Sequence, residues 1–88
     1  MLRMWGEAVQ FDQSAVGRTI RYLRKKKNIS QDVLSGLAGI ARTHLSMIET
    51  GSKQANFETL WKLADALGMR PSELVAFIEA EIERGSST

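Results

Sequence analysis

The chain has 88 residues, 43% of them hydrophobic and 25% charged, without cysteine. That is one small globular domain in which disulfides and thiolate metal sites are excluded. No apolar run approaches the roughly 20 residues that span a bilayer. MLRMWGEAVQF at the start has neither a cationic and apolar leader pattern nor a small-residue cleavage site, so no signal peptide and a cytoplasmic location are expected. The net charge of +2 hides a division along the chain. Residues 1–53 carry nine Lys/Arg against four Asp/Glu, whereas residues 54–88 carry three against six. A basic half suits a polyanion, and an acidic half stays clear of it.

Sustained period-2 alternation is missing, and apolar residues recur at helical spacing. Val16, Ile20 and Leu23 predict a first helix, capped at Asp12 or Ser14 and ending in Arg24-Lys25-Lys26-Lys27-Asn28. Cations favour a helix C-terminus, and Asn accepts a left-handed stop. Ser30 predicts the next N-cap, with Leu34, Leu37 and Ala38 facing inward and Gly39 closing the helix. Gly36 within it costs about 1 kcal/mol relative to alanine, a cost read as tolerated rather than as a mark of close helix crossing. A third helix starts near Ala41, buries Leu45 and Ile48, and stops at Thr50-Gly51. Asn56 caps a fourth, whose inner face is Leu60, Leu63, Ala64 and Leu67. Pro71 and Ser72 open a fifth, with Leu74, Phe77, Ile78 and Ile82 on one side. The expected organisation is an all-α, compact five-helix domain over residues 12–84, an N-terminal extension over 1–11 and a flexible tail over 85–88.

The second and third helices, joined across Gly39, suit a helix-turn-helix, whose tight turn often contains glycine. Ser35 is expected where those helices approach most closely. Arg42, Thr43, Ser46 and Met47 then fall on the outer face of the third helix, with His44 at its edge. From about Val16 to Leu74 the chain resembles the phage-repressor type of helix-turn-helix domain, the Xre/Cro-like family. The stretches that carry the likeness are IRYLRKKKNISQDVL, AGIARTHLSMIETG and FETLWKLADALGMRPSEL. The resemblance implies a third helix lying in the DNA major groove. It implies that Gln31 touches the phosphate backbone and braces that helix. Arg42, Thr43 and Met47 fall where relatives read base edges, with His44 and Ser46 alongside and Asn56 facing phosphates. Arg24 and Glu49 fall where the family keeps an internal ion pair. Relatives commonly have alanine at Ser35 and proline near Ala55, and Ala41 lacks the usual polar cap. Without that proline, the loop after Gly51 is expected to be less rigid than usual.

Chemistry supports the same residues independently. Arginine bonds guanine O6 and N7 in bidentate fashion, and threonine or methionine methyls meet the thymine methyl. Lys53 grips phosphate without reading sequence. The expected function is a sequence-specific double-stranded DNA-binding transcriptional regulator, a repressor acting as a dimer on a palindromic operator. Leu74, Phe77, Ile78 and Ile82 would form the dimer interface and place two reading helices about 34 Å apart. Apolar residues Leu2, Met4, Trp5, Val9 and Phe11 would join such an interface or fold back over the same fifth helix. Trp61 is expected in the core or at a dimer edge. The alternative is a protein-interaction module, such as an antitoxin-like or adaptor domain. Neither a cofactor nor a metal is expected. No catalytic constellation is visible, since the lone His44 has no nucleophile or ligand set beside it.

Overall fold

A computed structural model describes residues 11–86, and within them most helices begin where local chemistry can satisfy their free N–H groups. The helices are α1 (Gln13–Lys26), α2 (Gln31–Ala38), α3 (Arg42–Thr50), α4 (Phe57–Ala66) and α5 (Pro71–Ser86). Asp12 caps α1 by accepting from the Ser14 N–H, Ser30 caps α2 from Val33, and Asn56 caps α4 from Thr59. Each such cap is worth about 1 kcal/mol. Helix α3 has no side-chain cap, because Ala41 has no acceptor to offer. At the start of α5 the Glu73 carboxylate reaches back to accept from the Arg70 N–H at 2.7 Å. Stops are equally local: Asn28 takes a φ of 60° after α1, and Gly39 a φ of 70° after α2.

Helix α1 packs on α3 and α5, α2 packs on α3 and α4, and α4 packs on α5. Ile20, Leu34, Leu45, Ile48, Leu63, Leu67 and Leu74 fill the interior. On the outside, Arg18 ties α1 to α5 through Glu81 at 2.9 Å and reaches Asp12 at 3.3 Å. A hydrogen bond from Arg18 lowers the Glu81 pKa, and bonding from Ser14 lowers that of Asp12.

Several expectations need correcting. Leu37 points outward and is 63% exposed, because the α2 face carrying Leu34 and Ala38 is already covered by α3 and α4. A close helix approach that the sequence reading does not anticipate is at Gly17, where α1 meets the end of α3. Ser35 is buried, with its hydroxyl donating to the Asp32 carbonyl. Nothing lies within 4 Å of a side chain built at Gly36. Of the two places expected for Trp61, the core is excluded, since it is 55% exposed. Helix α5 continues through Ser86, past the expected boundary at residue 84. Two of the four residues assigned to a dimer interface, Leu74 and Ile78, are taken up by the chain's own core, and Ile82 is partly buried against it. Only Phe77 of that set is open to solvent. Leu2, Met4, Trp5 and Val9 lie outside the described residues; Phe11 is exposed.

Candidate nucleic-acid interface

The frame behind α3 is a charged knot at the meeting point of three helices. Arg24 of α1 holds Glu49 of α3 by two parallel bonds, Nε to Oε2 at 2.7 Å and Nη2 to Oε1 at 2.9 Å. Its remaining nitrogen, Nη1, donates to the Ile29 carbonyl at 3.0 Å, fixing the loop between α1 and α2. Gln31, the first residue of α2, adds a bond from Nε2 to Glu49 Oε1 at 3.0 Å. The Arg24 and Glu49 side chains are 10% and 3% exposed, so the pair sits in a low-dielectric setting, and Glu49 raises the Arg24 pKa. Bidentate geometry makes the tilt of α3 a fixed quantity.

In front of that frame, Arg42, Thr43 and Met47 are exposed on one face of α3, while His44 and Ser46 are half-buried at its edges. Leu45 and Ile48 occupy the opposite face and lie in the core. A short helix with one anchored face and one open polar face is what insertion into a groove demands. Arg42 also has a neighbour that the sequence reading did not identify: Asp32 on α2, with Nε and Oδ1 3.2 Å apart.

The loop after α3 is held more firmly than expected. The Met47 carbonyl accepts from the backbone N–H groups of Ser52 and Lys53 at 3.0 and 3.2 Å. It also accepts from the Thr50 and Ser52 hydroxyls at 3.1 and 3.3 Å. Gly51, with a φ of 84°, gives its carbonyl to Gln13 Nε2 at 2.6 Å. These bonds fix the chain as far as Lys53, which is exposed at the edge of α3. Asn56 uses its side-chain oxygen on Thr59, leaving its amide nitrogen free to donate outward.

Away from this face, α4 and α5 enclose an open apolar groove of roughly 510 Å³ between Phe57, Leu60, Trp61, Pro71 and Val75. Phe57 and Trp61, one turn apart, meet edge to face with ring centres 5.9 Å apart. Among the described residues no His/Cys/Asp/Glu group is arranged to hold a metal ion, and no helix is long and apolar enough to cross a membrane.

Known proteins share this arrangement. Control protein C.BamHI of Bacillus amyloliquefaciens is 34% identical over 62 residues, covering 69% of this chain and 76% of that protein. Control protein C.MunI of a Mycoplasma species is 35% identical over 66 residues, 74% of this chain and 89% of that one. Among solved structures, the restriction-modification controller protein C.AhdI of Aeromonas hydrophila superposes with a TM-score of 0.69 at 35% identity. The match covers 72% of this chain and 96% of that one. The helix-turn-helix family HTH_3 matches residues 20–74, from the middle of α1 to the first turn of α5. With α3 braced from behind and open in front, the chain belongs to the helix-turn-helix HTH_3 family.

Proposed function

We propose that this protein regulates transcription by sequence-specific binding of double-stranded DNA, acting in the cytoplasm as a homodimer on a palindromic operator, without catalysis or cofactor. The observation that carries the reading is the outer face of α3, where Arg42, Thr43 and Met47 stand exposed on a helix locked by the Arg24–Glu49 pair. Arg42 reads guanine, and the methyl groups of Thr43 and Met47 meet thymine. Ser46 and His44 flank the contact. Gln31, Asn56 and the first-turn N–H groups of α2 and α4 that the Ser30 and Asn56 caps leave unbonded take phosphate oxygens. Lys53 adds attraction that is blind to sequence.

The dimer reading rests on the groove between α4 and α5 rather than on Leu74 and Ile78. Phe57, Trp61 and Val75 are exposed there as one apolar surface. A second copy laid over it would bury them by two-fold symmetry and pair two reading helices. The same groove is also what a separate protein partner would use, so the protein-interaction reading shares this observation. Several relatives are control proteins, one of them named for restriction-modification, which makes the upstream region of such a gene set the first natural DNA to try.

Selection of bound duplexes from random DNA, followed by titration of Arg42→Ala and Lys53→Ala variants, tests the assignment. Arg42→Ala should cost about 1–3 kcal/mol at one base position, and Lys53→Ala should weaken all sequences alike. Equal loss on selected and random duplexes for Arg42→Ala contradicts base reading. Binding that ignores salt concentration contradicts phosphate contact altogether.

A further inference from the structure

The Arg42 guanidinium has one charged neighbour. Its Nε lies 3.2 Å from Asp32 Oδ1, an ion pair without the alignment of a hydrogen bond. We propose that Asp32 is a positioning residue that aims the two terminal nitrogens of Arg42 at guanine and sets how strongly the protein rejects other sequences. This rests on the reading that α3 enters the major groove.

The two lie ten positions apart in sequence, and the left-handed turn at Gly39 brings the first turn of α2 beside the first turn of α3. Guanine presents O6 and N7 side by side, and only two parallel N–H donors match them. A carboxylate beside Nε can align with it as the DNA closes over the pair, which leaves Nη1 and Nη2 as that matching set, and its charge biases a side chain that otherwise samples many rotamers. Asp32 and Arg42 are 78% and 60% exposed in the free protein, where water weakens such a pair. Docking expels that water, and the attraction then strengthens at the moment it is needed.

The same carboxylate acts on wrong sequences. It follows Gln31 at the start of α2, where phosphate is expected. On DNA without the guanine, Arg42 can reach a phosphate only by leaving Asp32, which then faces the backbone with its charge bare. Like charge at close range disfavours that complex, so discrimination arises from repulsion as well as attraction.

The test uses the full chain and two probes, an operator-length duplex recovered by selection and a random-sequence duplex of equal length. Binding is measured for wild type, Asp32→Asn, Arg42→Ala and the double variant. Asp32→Asn keeps the size of the side chain and the backbone bond to Ser35, and unchanged circular dichroism and melting verify its fold. The expected result is a fall of roughly tenfold in the operator-to-random affinity ratio for Asp32→Asn, with random-duplex binding equal or tighter. In the Arg42→Ala background the same change should leave the ratio unaltered. A ratio within about twofold of wild type for Asp32→Asn overturns the proposal. So does an equal fall with and without Arg42. If Arg42→Ala itself leaves the ratio intact, the base-reading assignment fails and this inference with it, whereas an Arg42 effect without an Asp32 effect removes only the inference.

Discussion

Gly17, in α1, lies directly against the backbone carbonyls of Ile48 and Glu49 at the end of α3. A methyl group in its place would stand 2.6 Å from the Glu49 carbonyl oxygen and closer still to that of Ile48. Backbone cannot retreat as a flexible side chain can. The two helices therefore sit as near as they do because position 17 has no side chain, and the closeness lets Arg24 reach Glu49.

Gly17→Ala should lose roughly 1–3 kcal/mol of stability by overpacking, despite the better helix propensity of alanine. Gly36→Ala should do the reverse, gaining about 0.5–1 kcal/mol, since its site is open and its backbone ordinary. Urea unfolding of both variants checks the contrast, and a neutral Gly17→Ala would show that α1 and α3 are free to separate.

Removing one partner of the Arg24–Glu49 pair leaves the other charged and buried. Arg24→Ala should cost about 3–5 kcal/mol, while the apolar double replacement Arg24→Met with Glu49→Leu should recover much of that loss. Denaturant midpoints decide it. A double variant less stable than either single one would mean that the charges themselves, and not their burial, dominate.

Acid should weaken the outer ties. The folded pKa values of Asp12 and Glu81 are lowered, by hydrogen bonds from Ser14 and from Arg18 respectively. Ordinary values are about 3.9 and 4.3. A depressed folded value means the contribution is complete above the ordinary range and is lost as pH falls through the folded pKa. In Arg18→Ala, the Glu81 carboxyl should titrate nearer its ordinary value, which carboxyl carbon NMR measures directly. An unmoved Glu81 would mean that the pair does not persist in solution.

Trp61→Glu should convert a dimer into a monomer, as read by sedimentation at micromolar concentration. Phe77→Asp should not. Residues 75 and 77 lie about 200° apart around a helix, and Phe77 lines a separate shallow surface with Glu73, Ala76 and Ala80. Loss of the dimer in Phe77→Asp alone would move the interface to the outer stripe of α5.

Cap chemistry made the helix limits legible. Asp12, Ser30 and Asn56 accept from N–H groups two or three residues on, so their role is written within one turn of chain. What covers an apolar stripe is written nowhere nearby. The spacing permits Leu37 to join Leu34 and Ala38, yet α3 and α4 leave that edge of α2 bare. The spacing equally permits Leu74 and Ile78 to face a second copy, yet α5 returns onto α1 and α4 and buries them. The Arg24–Glu49 pair, 25 residues apart, could be named only through the family resemblance. Asp32 left no signal at all, since an acid in the first turn of a helix is ordinary dipole chemistry. Gly17 was equally silent, because a glycine at a helical position looks the same whether or not a carbonyl presses on it.

Along α3 the division of labour is strict. Leu45, Ile48 and Glu49 anchor the helix from one side, and Arg42, Thr43 and Met47 contribute nothing to the interior from the other. The outward residues are thus free to change without disturbing the side that holds the helix in place.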